Sequence, residues 1–453
     1  MGQLTADGHE LTPAPSEADV IVVNTCSFID PAKQESVDTI LEMAEYKKTG
    51  KAQRLVVAGC LVERYRDEIR QNMPEVDAVL GTNELAKITA LCEGLEPKEM
   101  APEPYLYHDL TARVFTTPRH SAYIKIAEGC DHPCSFCIIP QFRGKFRSRR
   151  FESVINEATR MFNMGVREIN LIGQDTTVYG EDLGLRNGLA DLLARLASIP
   201  TEASKWVRFL YAYPNKVTQK LLDTIAEYDA LVKYIDMPLQ HASAAVLKRM
   251  KRGANGDIFL KLLERIRATI PGVAIRTSMI VGFPGETGHD FEQLCQFVQA
   301  AQFDRLGVFS YSDEETSQSY VLDDKVDART IYNRKRKLMA LQRRISRARN
   351  KQLVGQELPV LVEGPSAETE LLWQGRLTTQ APEIDGICYI NDFGPSEPRL
   401  GEMRRIRITE THDYDLVGEL VDESERRAKS TLPVNPFPIL TAPSLVRSVL
   451  PAR

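Results

Sequence analysis

The stretch AYIKIAEGCDHPCSFC, residues 122–137, runs from an apolar segment directly into three closely spaced cysteines. Its first part, residues 122–127, is the kind of short apolar run that is typical of a buried parallel strand. The spacing C-x3-C-x2-C then places thiols at Cys130, Cys134 and Cys137. Because the chemistry of parallel α/β barrels lies on loops at the carboxyl ends of the strands, the stretch predicts a functional site at the mouth of a barrel.

Three cysteines at this spacing can hold one iron–sulfur cluster, whose usual protein ligand is the cysteine thiolate. A cubane cluster with only three protein ligands keeps one iron open, as catalytic metal sites do and structural sites do not. The alternative is a zinc site, which favours four ligands in two pairs. His132 lies within the loop but cannot easily share one metal with both neighbouring cysteines. The spacing therefore favours a reactive iron–sulfur cluster.

The overall composition describes a soluble globular protein of two to four domains, with 453 residues, 43% hydrophobic and 26% charged. A net charge of −5 provides no general attraction to nucleic acid or anionic membrane. Eight cysteines are too sparse for a disulfide scaffold, so we expect a cytoplasmic protein. No apolar run approaches the roughly 18 residues that span a bilayer, and no membrane partner is expected.

Residues 1–95 alternate short apolar strands with helical segments, which predicts a doubly wound α/β domain. The predicted strands cover residues 19–24, 54–59 and 76–81. Cys26 and Cys60 each follow a strand, so they are expected to meet in one crevice. The alternative is that both are small buried core residues. The chain opens on what resembles the end of a helix, so the domain looks incomplete by one strand.

The rest of the chain predicts three further segments after a polar, proline-containing linker at residues 96–119. Residues 120–352 contain six apolar strands separated by helices, which predicts an open (β/α)6 barrel. Residues 353–422 have the alternating pattern of a small β-barrel, and residues 423–453 are expected to be disordered. The predicted strands of the central barrel cover residues 122–127, 167–172, 206–213, 231–237, 273–281 and 305–311.

The cysteine loop, together with its lead-in at residues 125–130 and the motifs at residues 138–140, 143–144 and 147–149, resembles the cluster loop of radical S-adenosylmethionine enzymes. More narrowly, it resembles that of the methylthiotransferases, and the resemblance extends from Met1 to about Glu419. It implies a radical-SAM barrel followed by a TRAM domain. It also implies that the open iron of a 4Fe–4S cluster binds S-adenosylmethionine, which one electron then cleaves to a 5′-deoxyadenosyl radical.

The resemblance also implies which residues bind each cofactor. The cluster ligands are Cys130, Cys134 and Cys137, and no further catalytic residue is assigned. The implied contacts to S-adenosylmethionine are Phe136, Gln174, Gln240 and Arg276. Cys26 and Cys60 match two ligands of an auxiliary 4Fe–4S cluster. In the family, a further ligand lies on a loop after an earlier strand. No cysteine of this chain matches that position, so the second cluster is expected to lack one ligand.

The methylthiotransferases divide by substrate, and three features favour the branch that modifies the β-carbon of an aspartate in a small-subunit ribosomal protein. These features are the motifs at residues 26–29 and 33–36, the lead-in at 125–130, and the APEIDG motif at 381–386. Within that motif, Glu383 and Asp385 are expected to face a basic protein partner. An electron donor and a sulfur source are further implied partners. The alternatives are a tRNA adenosine methylthiotransferase and an iron–sulfur protein deficient in sulfur transfer.

A basic segment follows the cysteine loop at Arg143, Lys145, Arg147, Arg149 and Arg150. Such a run is either a solvated loop or a surface that faces an anionic partner near the site. The helical stretch at residues 334–351 is also basic, but its apolar stripe predicts packing, with RNA contact as the alternative.

Overall fold

The computed structural model describes residues 1–95, 105–369, 371–394 and 396–421, which form three units along the chain. The predicted tail and residues 96–104 of the predicted linker lie outside the described residues. Residues 105–119 carry no regular helix or strand, yet they are packed rather than loose. Tyr107 donates to Glu157 of the central unit at 3.1 Å, and Arg113 pairs with the same carboxylate at 2.8 Å.

The first unit is a three-stranded parallel sheet with helices on both faces. Its elements are α1 (Gly2–Ala6), β1 (Val20–Thr25), α2 (Asp30–Thr49), β2 (Arg54–Gly59), α3 (Cys60–Asn72), β3 (Ala78–Leu80) and α4 (Ile88–Cys92). Apolar side chains of α2 and α3 pack on one face of the sheet. Leu4 of α1 and Ile88 of α4 pack on the other. The predicted doubly wound domain and its three strands are confirmed.

The second unit is built on six parallel strands arranged as two three-stranded sheets, in the orders β4-β7-β8 and β9-β10-β11. A parallel bridge between Val207 and Leu231 joins the two halves. The first half contains β4 (Ser121–Lys125), β5 (Ala127–Glu128), α5 (Ile139–Arg143), β6 (Arg147–Ser148), α6 (Phe151–Asn163), β7 (Glu168–Ile172), α7 (Gly188–Ala197), β8 (Trp206–Phe209) and α8 (Gln219–Glu227). The second half contains β9 (Tyr234–Asp236), α9 (Ala244–Arg249), α10 (Gly256–Thr269), β10 (Ala274–Val281), α11 (Gly288–Ala301), β11 (Arg305–Ser310) and α12 (Ala328–Lys351).

The six strands occur where apolar runs predicted them, although the third ends earlier than expected. β8 stops at Phe209 because Tyr211 adopts a φ of 64° and donates its backbone N–H to the Asp236 carboxylate at 3.0 Å. The basic helix α12 packs through Leu338, Leu341 and Ile345, as its apolar stripe predicts. Among the helices of the described ranges, none is both long and apolar enough to cross a membrane.

The third unit is a closed five-stranded barrel with the strand order β12-β13-β14-β16-β15. Its strands are β12 (Glu357–Pro365), β13 (Trp373–Leu377), β14 (Cys388–Asp392), β15 (Met403–Thr411) and β16 (Leu416–Leu420). Val360, Ile390 and Ile406 fill its interior. Other apolar residues of this unit, among them Leu361 and Ala381, pack with apolar residues of the central unit. The predicted small barrel is therefore confirmed, and it rests directly against the larger one.

Candidate active site

The cysteine loop begins where β5 ends, and a glycine makes its first turn possible. Gly129 has a φ of +83°, and a Cβ at this position would lie 2.2 Å from the carbonyl oxygen of Lys145. Only glycine tolerates both constraints. The Gly129 N–H donates to Oε1 of Gln174 at 2.8 Å, and the Cys130 N–H donates to the Gly144 carbonyl at 3.2 Å. The loop is thus held from two sides, at the carboxyl end of the strand as predicted.

The three thiols of the loop line one cavity of about 300 Å³. Burial raises the pKa of Cys130 to about 11 and that of Cys137 to about 12. A metal that binds these thiols must therefore displace protons from them. Clustered thiolates are the donor set that iron–sulfur clusters take, so the residues present fit such a group. In the part of the chain that the structure describes, no group of three or more His, Cys, Asp or Glu side chains is placed to hold a single metal ion.

Polar and aromatic side chains of the barrel pack against the cysteine loop at His132 and Cys134. His132 Nε2 lies 2.6 Å from Oδ2 of the buried Asp175, and its ring stacks on Tyr213 with centroids 3.6 Å apart. The Arg252 guanidinium lies over the same tyrosine ring and donates to Cys134 Sγ at 3.7 Å. His132 therefore has a carboxylate and an aromatic ring as its partners in the structure.

The two N-terminal cysteines lie on loops that touch each other. Gly59, with a φ of +109°, precedes Cys60 at the start of α3, and Cys26 follows β1. Ser27 Oγ donates to the Cys60 carbonyl at 3.1 Å and so joins the two loops. Cys26 is exposed and Cys60 is half-buried, so the alternative that both are core residues is wrong. Burial raises the pKa of the Cys60 thiol, and Arg143 opposes that effect.

Arg143, at the end of α5, links the N-terminal cysteines to the cysteine loop. Its Nη2 donates to Cys60 Sγ at 3.2 Å, and its Nη1 donates to Oε1 of Glu128 at 3.2 Å. Thr82 of the N-terminal unit donates to the Phe142 carbonyl at 3.1 Å, which fastens the same helix. One guanidinium therefore contacts both Cys60 of the N-terminal unit and Glu128, which lies two residues before Cys130.

Further ion pairs hold the N-terminal unit against the central barrel. Oε2 of the buried Glu314, on the loop after β11, lies 2.7 Å from Arg64 Nη1 and 3.0 Å from Lys33 Nζ. The basic segment after the cysteine loop does not form one charged surface, because Arg149 is buried in an ion pair of 2.6 Å with Glu157. The prediction that this whole segment faces solvent or an anionic partner is wrong for Arg149.

The residues predicted to contact S-adenosylmethionine lie on four different segments of the barrel. Phe136 is part of the cysteine loop and packs on the main core, while Gln174 holds Gly129. Gln240 has a φ of 74° and forms a backbone bridge to Met279 of β10. Arg276 is ion-paired with Asp236 at 2.6 Å, and this partner raises its pKa against the effect of burial.

Asp385 does not lie on the surface, in contrast to the prediction that it faces a protein partner. Its side chain is 2% exposed and accepts hydrogen bonds from Tyr234 Oη at 2.7 Å and the Ala381 N–H at 2.8 Å. One carboxylate oxygen lies 3.9 Å from Arg276. The loop of the small barrel therefore inserts Asp385 into the central barrel, and of the two acidic residues only Glu383 remains exposed.

Replacing Asp385 by lysine is expected to destabilise the protein, whereas replacing Glu383 by lysine is not. The first change leaves Tyr234 and Ala381 without an acceptor and buries a cation beside Arg276, at a cost of more than about 2 kcal/mol. The second alters an exposed side chain and should stay within about 0.5 kcal/mol. Thermal unfolding of the two variants measures the difference. Equal melting temperatures would contradict the burial of Asp385.

The fold and the cysteine loop define the class: a radical SAM enzyme. The model of the radical SAM superfamily matches residues 124–298. A model described as uncharacterized protein family UPF0004 matches residues 1–81, and the TRAM domain model matches residues 354–421. These three matches correspond to the three units of the fold. The predicted family and fold class are confirmed.

Curated relatives identify the branch. "Ribosomal protein uS12 methylthiotransferase RimO" of Solibacter usitatus (strain Ellin6076) is 72% identical over 447 residues, which cover 98% of this chain and 94% of the relative. The protein of the same name from Koribacter versatilis (strain Ellin345) is 57% identical, with coverages of 93% and 92%. The chain belongs to the RimO family of ribosomal protein uS12 methylthiotransferases.

Among solved structures, the radical S-adenosylmethionine methyltransferase TsrM from Kitasatospora setae is similar at 15% identity and a TM-score of 0.49, over 64% of this chain and 62% of that one. The family assignment rests on the curated relatives.

Proposed function

We propose that this protein transfers a methylthio group to the β-carbon of an aspartate in ribosomal protein uS12. The observation that carries the proposal is 72% identity, over 98% of the chain, to a relative named for that reaction. The site supports it, because three thiols line one cavity beside a second pair of cysteines. We place the reaction in the cytoplasm, where an electron donor and a sulfur source serve as further partners.

In this proposal, Cys130, Cys134 and Cys137 hold a 4Fe–4S cluster with one open iron. When bound, the cluster supplies the electron that cleaves S-adenosylmethionine to a radical able to attack an unactivated C–H bond. The residues of the chain hold and enclose the reactants. Gly129 and Gln174 fix the loop, and the three cysteines line the cavity next to which the reactants would bind. Proposed contacts to S-adenosylmethionine are Phe136, Gln174, Gln240 and Arg276.

Cys26 and Cys60 are proposed to hold the auxiliary cluster that takes part in sulfur transfer. Arg143 donates to Cys60 Sγ, and its positive charge opposes the effect of burial, which raises the pKa of this thiol. Cys92, the third cysteine of the N-terminal unit, packs with Leu4 and Ile88 on the far face of the sheet and does not supply a ligand. The third ligand predicted by the resemblance is therefore not found among residues 1–95.

The reconstituted protein is expected to methylthiolate uS12 and not tRNA. The full chain is reconstituted with iron and sulfide under anaerobic conditions, then incubated with S-adenosylmethionine, a reductant, and either uS12 or bulk tRNA. Mass spectrometry should show that one hydrogen of a uS12 aspartate is replaced by a methylthio group. Modified tRNA with unmodified uS12 would overturn the proposal in favour of the tRNA alternative. If 5′-deoxyadenosine forms but neither substrate is modified, the chain is deficient in sulfur transfer.

A further inference from the structure

Arg252 is a buried cation whose guanidinium contacts the cysteine loop at Cys134. It follows α9, and the residue is only 8% exposed. Its Nη1 donates to Cys134 Sγ at 3.7 Å, its Nη2 donates to the Pro238 carbonyl, and its guanidinium carbon lies 4.4 Å from the centroid of the Tyr213 ring. These three contacts fix the direction of the guanidinium toward the sulfur.

The surroundings of Arg252 leave its charge uncompensated. Its contacts within the described ranges are a sulfur, a backbone carbonyl and an aromatic ring, none of which is a carboxylate. Its Nε is buried without a hydrogen-bond partner. A buried guanidinium is costly unless an anion balances it. The side-chain atom that the guanidinium contacts by a hydrogen bond is Cys134 Sγ, so its positive charge is directed at this sulfur.

A chain of contacts holds this arrangement in place. Asp175 fixes His132, whose ring stacks on Tyr213, and the same tyrosine ring lies against Arg252. Arg276, by contrast, is paired with Asp236 at 2.6 Å. Among the described residues, no carboxylate forms an ion pair with Arg252, and its guanidinium is held by the sulfur, the carbonyl and the ring.

We propose that Arg252 is a positioning residue that makes the cluster easier to reduce by stabilising the added negative charge at Cys134. The proposal rests on the proposed function, in which Cys134 is a cluster ligand. Hydrogen bonds to the sulfurs and local charge are among the determinants of cluster reduction potentials. Removing the cation should therefore make the midpoint potential more negative. Radical formation would then slow, although S-adenosylmethionine and uS12 still bind.

The test is a redox titration of the reconstituted full chain, followed by electron paramagnetic resonance of the reduced cluster. Arg252→Met and Arg252→Gln both remove the charge. Each is expected to lower the equilibrium constant for one-electron reduction about tenfold, which is a shift of 59 mV. Arg252→Lys keeps a positive charge and should recover part of the difference. Lys248→Met removes an exposed charge from α9 and should leave the potential unchanged.

Iron content separates failure of this inference from failure of the proposed function. If the unaltered protein binds no iron, the proposed function itself fails. If it binds a cluster and both neutral variants keep the original potential, the role of Arg252 is overturned. If only Arg252→Met loses its iron, the midpoint potential of Arg252→Gln tests the inference. Loss of iron in both also counts against the inference, because a residue that only adjusts the potential is dispensable for assembly.

Discussion

Replacing Cys134 by serine is expected to lower the iron bound per reconstituted chain by about four atoms and to abolish turnover on uS12. Cys134 is 9% exposed and lies between the other two thiols in sequence, on the wall of the shared cavity. A serine hydroxyl is a much weaker ligand for iron than a thiolate, so two thiols would remain for a group that needs three. Iron assay and the uS12 mass-spectrometric assay measure the two effects.

Cys295→Ala provides the matched control. Cys295 is also buried, at 7% exposure, but it belongs to α11 and the main apolar core. Its loss should leave both iron content and turnover close to those of the unaltered protein. A Cys134→Ser variant that retains full iron and activity would contradict the proposed ligand set. The same assay on the unaltered protein distinguishes about eight irons, for two full clusters, from about four for one.

The strands and the cysteine loop could be predicted because their signals are local. Residues 54–59 are a short apolar run and form β2 with four consecutive buried residues. The three cysteines of the loop follow an apolar run, which predicted that they lie at the carboxyl end of a barrel strand. The structure places them there. The early end of β8 could not be predicted in this way, because it depends on a hydrogen bond from Tyr211 to Asp236, a residue of another strand.

The residues that support the site were missed because their partners are distant in sequence. Arg143 contacts Cys60, and Arg252 contacts Cys134, over separations of 83 and 118 residues. No periodicity or motif in one sequence encodes such a pair. Only the topology, which brings the loops after β2, β5 and β9 together, makes these arginines neighbours of thiols.

The burial of Arg149 and Asp385 could not be predicted from the sequence for a different reason. Charged residues are rarely buried, so sequence alone assigns a charged loop residue to solvent. Arg149 is instead balanced by Glu157 of α6, and Asp385 is held by hydrogen bonds from Tyr234 and Ala381. Burial of such groups depends on partners contributed by another element, and for Asp385 by another unit of the fold.

Replacing Glu168 by alanine is expected to lower the free energy of unfolding by about 3–5 kcal/mol. Glu168 is fully buried in β7, where it lies 2.5 Å from Arg376 of the small barrel and 3.2 Å from Arg208 of β8. Its removal leaves two buried guanidinium groups with one fewer carboxylate between them. Urea denaturation measures the loss, and limited proteolysis shows whether the small barrel detaches first.

Glu181→Ala is the matched control, because Glu181 forms an exposed ion pair with Lys216 at 2.9 Å. Exposed pairs contribute less than about 1 kcal/mol, so this variant should unfold almost as the unaltered protein does. Similar losses in the two variants would show that Glu168 does not stabilise the junction between the barrels.

The same buried carboxylate makes the stability of the junction between the two barrels depend on pH in the acidic range. Burial alone would raise the pKa of Glu168, but Arg376 and Arg208 together lower it from 4.5 to about 2. A carboxyl group with a lowered pKa in the folded state stabilises that state fully above its unfolded value, and the contribution is lost as the pH falls toward the folded value. The stability advantage of the unaltered protein over Glu168→Ala should therefore be constant near neutral pH and shrink between about pH 4.5 and 2. An advantage that instead shrank with rising pH would show that the two arginines do not hold Glu168 ionised.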